Sequence, residues 1–400
     1  MKRYLKDYCL TIEDVEIGIF AYLKNKWKRK DVSYFLAEYC IQGGEDIHEA
    51  ARRCRELARK AATRHFLYET IQKIAYSLFM EIEERRIVLK PIEYQLRLDK
   101  SSNKIREIGI SSVKQQIYDY VAVTVCKEMF MAKIGYYQCA SISKKGQVFG
   151  KTSIEKWLKT DSKNCRYYYK CDIRKYYPSV DKTKLKGLLS RDIKNEDILY
   201  LIFTLLDTYK DGLCIGSYLS QYLANYYLSY AYHFVAEQSY SVRRTKDGTS
   251  IRVNNTKHQL YYMDDIIMFS SSKKLLQRGV SDFEDYISDE LYLSIKEGAG
   301  IHDTRTESID MMGYQISPDY TIMRKRIYDR VFRVMLRGKR KRHMEKFSVH
   351  FSRKVLAYHG YAKNSNLYAF RNRLKIDDTV NEARKVVQEY DKNHIHRQAG

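Results

Sequence analysis

Between His258 and Ser270 the chain reads HQLYYMDDIIMFS, with apolar flanks around a Tyr262-Met263-Asp264-Asp265 centre. Two apolar runs separated by a short polar pair predict a β-hairpin whose tip carries the acids. Side chains alternate along a strand, but at a tight turn one acid can face a pocket while its neighbour supports it. An Asp-Asp pair is also what a solvated turn carries. The meaning of this one therefore depends on the rest of the chain.

A second carboxylate stands in a comparable setting. In RYYYKCDIRKYYPSVD, Tyr167 to Ile173 reads as a strand with Asp172 near its end, and Pro178 breaks it toward a helix beginning near Asp181. An acid at the end of an apolar strand suits a metal ligand. Between these two places, DGLCIGSYLSQYLANYYLS opens with glycines and becomes a helix, with Ser220, Gln221 and Asn225 on or near one face. Small and amide residues at a helix start let a sugar or base approach. The stretch from Ser241 to Thr256 is polar and turn-rich, an exposed excursion. After the central hairpin come an amphipathic helix over 274–293 and a short strand or hairpin over Asp310–Ile316.

Upstream, the first ninety residues read as helical, with Asp46 placed to cap a basic helix reaching Leu67, a second helix over Glu69–Arg86, and Pro91 closing the segment. Over Ile92–Ile110 the period changes to two, predicting a hairpin that sets Lys104 and Arg106 on one face. Two such cations can hold a triphosphate, Arg by paired hydrogen bonds and Lys as a point charge. Val113 to Phe130 reads as a helix. Gly146 to Lys151 reads as a glycine-flanked turn lacking the spacing of a P-loop.

Charge narrows the partners. Lys and Arg number 72 against 49 Asp and Glu, a net +23 with a pI near 9.4, which points to a polyanion. Arg326, Arg330, Arg333 and Arg337 recur at helical spacing from Arg324 to Lys346, with Ile327, Val331, Val334 and Met335 on another stripe. One face packs and the other meets phosphates. The eight cysteines form no CxxC pair and read as ordinary reduced thiols, without zinc or disulfides. No apolar run reaches membrane-spanning length and the N-terminus lacks a signal-peptide pattern, so the expected location is cytoplasmic, away from membranes. Most of the 37 tyrosines read as core or half-buried surface, although such rings can also stack on bases.

From about Lys90 to Arg373, the order of these features resembles the palm of a reverse transcriptase: a strand-end Asp, a glycine-led helix with Ser-Gln, a YMDD hairpin, then Met-Gly-Tyr. The IGSYLSQ stretch is similar to the signature of the diversity-generating retroelement and abortive-infection groups, where group II intron and retron enzymes carry QGxxxSP. The resemblance implies an α+β right-hand polymerase fold with fingers, an antiparallel palm and a helical thumb. It divides the chain into a helical N-terminal extension (1–90), fingers and palm (91–315), thumb (316–376) and a short tail (377–400). The tail is too short for an RNase H or endonuclease segment.

It further implies RNA-directed DNA synthesis from dNTPs, on a noncoding RNA template, most readily in a bacterial antiviral system. A mutagenic retroelement enzyme and a noncatalytic RNA-binding scaffold are the alternatives. By the same resemblance Asp172, Asp264 and Asp265 are the catalytic acids. With Ile173 beside Asp172 they hold two Mg²⁺ ions, for which Mn²⁺ can substitute. Lys104, Arg106, Tyr177, Ser220 and Gln221 face the nucleotide, with the Tyr177 ring excluding a 2′ hydroxyl. Met312-Gly313-Tyr314 corresponds to the primer grip, and the arginine helix to the thumb. A homo-oligomer or an accessory protein are further partners in such systems.

Overall fold

In the computed structural model, residues 4–41, 43–99, 104–342 and 346–399 are described, with side chains to residue 392. The chain is of the α+β class, helix-rich with antiparallel sheets. It folds into two compact units, each assembled from separate segments, so the units do not follow chain order.

The first unit comprises residues 4–141, 173–238 and 282–296. Its opening helices are Ile12–Leu23, Lys30–Cys40, Ile47–Arg59 and Tyr68–Glu83. Asp46 caps the third as expected, accepting the His48 N–H at 3.0 Å. That helix ends at Arg59 and gives way to a 3₁₀ segment, Ala61–Leu67, eight residues earlier than its composition suggests. The Val113–Phe130 helix is also two helices, Val113–Val125 and Lys127–Lys133, parted at Cys126, which is fully buried. The long helix Tyr218–Glu237 is buried around most of its girth, including Leu219, Leu223, Tyr226, Tyr227 and Ala231. A helix apolar on all sides is a core helix.

The second unit comprises residues 142–172, 239–281 and 297–399. At its centre four antiparallel strands lie in the order His258–Tyr262, Asp265–Ser270, Tyr167–Asp172 and Gly300–Asp303. Ile266 to Ser270 are buried in succession, the pattern of a strand covered on both faces. The expected exposed excursion is an antiparallel ribbon, Tyr240–Arg244 against Ser250–Asn254. The expected turn at Gly146 is the N-terminus of a helix, Gln147–Thr160, with Gly146 as its cap residue.

Asp310–Ile316 belongs to a three-stranded sheet, Ile309–Met311, Tyr314–Ile316 and Thr321–Met323. The helices Lys325–Lys341, Val349–Lys363, Tyr368–Arg373 and Ile376–Ala399 follow. They share a core of Val331, Met335, Val355, Phe370, Leu374 and Ile376. The stretch expected as a short tail after Asp377 is part of the last of them, and its Val380, Ala383 and Val386 are buried in the same core. Residues 343–345 of the expected Arg324–Lys346 helix lie outside the described residues, and the helix ends at Lys341.

Candidate active site

The second unit builds the acid site on its central sheet. The strand ending at Tyr262 and the strand beginning at Asp265 pair directly, leaving Met263 and Asp264 as a two-residue turn. Met263 takes a φ of 55°, a left-handed conformation that costs a non-glycine residue on the order of 1 kcal/mol. Aligned on the other side of Asp265, the neighbouring strand places Asp172 directly opposite it. Directly opposed residues of an antiparallel pair share a face, so Asp172 and Asp265 project together, and Lys170 joins them two residues back.

Lys170 was not among the residues anticipated. Its Nζ lies 2.7 Å from Asp265 Oδ1. The signal was present in YYYKCD: a lysine inside an apolar strand, two before an acid, shares that acid's face. Burial pushes the Asp265 carboxyl up to about 6; Lys170 opposes this, while the charges of Asp172 and Asp264 add to it. Burial disfavours the Lys170 ammonium, but Asp265 and then Asp172 hold its pKa above the ordinary lysine value. The Asp265 carboxylate thus stands beside two like charges and one ammonium. Among the described residues no group of three or more His, Cys, Asp and Glu side chains is gathered as a metal cage. The chemistry of the donors fits a divalent cation nonetheless: they are hard carboxylate oxygens whose mutual repulsion a double positive charge relieves. Ile173 has only its main-chain carbonyl to offer such an ion.

Both turns of this unit are buttressed from the helix Gln147–Thr160. Trp157 stacks on His258 at the start of the acid hairpin, with ring centroids 4.8 Å apart, and His258 Nε2 lies 2.7 Å from Asp161 Oδ2. At the other turn, Gln147 Nε2 donates to the Met312 carbonyl. Gly313 there has φ 85°, and a Cβ on it would come within 2.5 Å of Ile327 Cδ1, so this position requires glycine.

The first unit brings the expected nucleotide-facing residues onto one backbone assembly. Lys104 and Arg106 lie on one exposed face of the hairpin Glu93–Asp99/Lys104–Ile110, and Arg97, directly opposite Arg106, joins them. Arg106 Nε also lies 3.3 Å from Asp99 Oδ2. Residues 100–103, the expected turn, lie outside the described residues. At the hairpin base the Gly109 N–H donates to the Ile215 carbonyl at 2.8 Å. Gly216 next to it has φ 122°, and a Cβ there would sit 2.4 Å from the Gly109 carbonyl oxygen. The Leu213 N–H in turn donates to the Tyr177 carbonyl at 2.7 Å, pinning Tyr177 against the IGSYLSQ turn.

Ser220 is fully buried and its Oγ accepts the Cys214 N–H, so its side chain closes this turn. Gln221 is half-buried on the first turn of the helix, and its carbonyl accepts from Asn225 Nδ2 at 3.0 Å.

The helix behind that turn is capped by a residue that sequence reasoning passed over. Asp119, fully buried, accepts the Tyr218 N–H at 3.0 Å. Desolvation pushes its carboxyl up to about 7, against the hydrogen bonds it accepts. A folded-state pKa above the unfolded one means that Asp119 contributes most stability below about pH 4 and loses that contribution as pH rises through about 7. The wild type is therefore expected to lose several degrees of Tm relative to Asp119→Asn between pH 5 and pH 8. Thermal melts of both proteins at the two pH values measure it, and an unchanged Tm difference refutes it.

On the helix Lys325–Lys341, Arg326 and Arg330 are half-buried and Arg333 is exposed, while Val331, Val334 and Met335 pack inward. Arg337 is exposed as a residue, with its guanidinium 5.3 Å from the centre of the Phe351 ring. No helix among the described residues is long and apolar enough to cross a membrane. Compared with models of known protein families and with curated proteins, the chain matches none.

Proposed function

We propose that this protein is an RNA-directed DNA polymerase of the right-hand type, joining dNTPs on an RNA template at Asp172, Asp264 and Asp265. The observation that carries the reading is the register that sets Asp172 opposite Asp265 beside a two-residue turn holding Asp264. A scaffold that only binds RNA has no use for three mutually repelling carboxylates on one sheet end. Bound Mg²⁺ would activate a primer 3′ hydroxyl and neutralise the charge of the leaving pyrophosphate. Asp172, the Ile173 carbonyl and Asp264 would hold the metal, and Lys170 keeps Asp265 oriented and partly compensates the site in the metal-free protein. Lys104, Arg106 and Arg97 offer the cationic face for a triphosphate.

Extension of a primer annealed to RNA, with dNTPs and Mg²⁺, tests the reading; failure of the folded wild type to incorporate any nucleotide on RNA or DNA templates refutes it. Tyr177 gives a second measurement. Its main chain is pinned through Leu213, so its ring has a fixed origin from which to exclude a 2′ hydroxyl. Tyr177→Ala is expected to raise the ratio of rNTP to dNTP incorporation at least about tenfold, corresponding to about 1.4 kcal/mol of discrimination. Single-nucleotide extension measures this, and an unchanged ratio removes Tyr177 from the sugar site.

A further inference from the structure

Far along the chain from the acids, two thiols meet in the helical part of the first unit. Cys40 is the last residue of the helix Lys30–Cys40, and Cys54 lies on the helix Ile47–Arg59. Their sulfur atoms are 3.1 Å apart. Cys54 is fully buried, whereas Cys40 is half-buried. Arg53 reaches the same place: its guanidinium donates to the Cys40 carbonyl at 2.9 Å and pairs with Glu45 at 2.7 Å.

We propose that Cys40 and Cys54 are a reversible dithiol, a modification site for two-electron oxidants of the hydroperoxide class that staples these two helices when oxidised. The inference does not depend on the polymerase reading. The ordering of the two sulfurs assigns their roles. The neighbouring Cys54 thiol brings the Cys40 thiol down to about 6; burial opposes this and the Arg53 charge supports it. Cys54 is held well above the ordinary thiol range, first by the hydrogen bond to Cys40 and then by burial. Cys40 is thus the nucleophile and Cys54 the resolving thiol.

The Cys40 thiolate attacks one oxygen of hydrogen peroxide, forming an S–O bond as the O–O bond breaks and hydroxide leaves. Cys54 sulfur then attacks the Cys40 sulfenic acid, forming the S–S bond as the S–O bond breaks, and the oxygen departs as water with the Cys54 proton. The proton first shed by Cys40 neutralises the hydroxide. Two thiols and one peroxide give a disulfide and two waters, and an external dithiol reverses the outcome. The other cysteines are less suited. Burial pushes the thiols of Cys126 and Cys165 up to about 12. Cys139, Cys171 and Cys214 are buried, and Cys9 is exposed.

The test uses the full chain, reduced, treated with a small excess of hydrogen peroxide, then alkylated and mapped by mass spectrometry. The expected result is two fewer alkylated cysteines, a mass loss of about 2 Da before alkylation, and a cross-link joining the Cys40 peptide to the Cys54 peptide, all reversed by dithiothreitol. Oxidation is also expected to raise Tm by several degrees, because the bond restricts the unfolded chain. In Cys54→Ser the reaction is expected to stop at a sulfenic acid on Cys40 that dimedone traps. A cross-link that maps to Cys9 or to any other pair overturns the proposal. So does retention of every reactive thiol by the wild type, an outcome that needs no variant to fold.

Discussion

Asp172→Asn is expected to lower dNTP incorporation on an RNA template at least about a thousandfold, equivalent to about 4 kcal/mol of lost transition-state stabilisation. The Asp264→Asn, Asp265→Asn double variant is expected to be as inactive, and RNA binding should stay near wild type in both. Stability separates this outcome from simple damage to the fold. Asp172 is a negative neighbour that raises the pKa of Asp265, so neutralising it relieves repulsion. Asp172→Asn should therefore leave Tm unchanged or raise it. Asp265→Asn removes the carboxylate 2.7 Å from the Lys170 ammonium but also a carboxylate that burial disfavours, and Asp172 still faces Lys170, so the two effects oppose each other and its Tm should change little. Primer extension and thermal melts on the same preparations decide the matter. Undiminished polymerisation by Asp172→Asn would falsify the assignment, and equal loss of stability in both single variants would mean that the acids are a structural cluster.

The parts of the molecule that could be read in advance are those whose signal is local. The acid hairpin begins at His258 and ends at Ser270 as its apolar runs suggest, because two continuous apolar runs parted by a two-residue turn leave little choice of pairing. Asp46 and Asp181 cap helices for the same reason: a carboxylate one position before a helix satisfies an N–H that would otherwise be bare. What escaped depends on contacts between distant positions. Gln147 takes its importance from a carbonyl 165 residues away, and a GQVFG string looks like a turn until that partner is known.

The Tyr240–Asn254 ribbon is mostly exposed on its outer residues, so it lacks the apolar alternation that marks a half-buried strand. The break at Cys126 falls inside an unbroken apolar period, where nothing in the pattern marks it. Asp119 is harder still. A lone acid in an apolar helix looks like a misplaced surface residue, and only the N-terminus of another helix, 99 positions on, explains it.

The arginine helix supplies the second large effect. Arg326, Arg330 and Arg333 fall within one face of Lys325–Lys341, while Val331, Val334 and Met335 hold the opposite stripe in the core. Arg337 shares the basic face but lies over Phe351, so replacing it would mix lost packing with lost charge. The informative variant is therefore Arg326→Gln, Arg330→Gln, Arg333→Gln, with Arg337 kept. Each phosphate neutralised on a duplex contributes about 0.9 to the slope of log affinity against log salt, so the triple variant should flatten that slope by about two to three.

Affinity for a primer annealed to RNA should fall most at low salt, where counterion release is worth most. Single-nucleotide addition at saturating primer-template should persist, because in the proposed reading these side chains would hold duplex away from the reacting acids. Products on a long RNA template should shorten, since weaker grip between additions lets the duplex leave. Binding across a salt series, with product length measured in parallel, tests both expectations. A folded triple variant that keeps the wild-type slope and wild-type product lengths would make this face an ordinary solvated one and send the nucleic acid elsewhere on the basic surface.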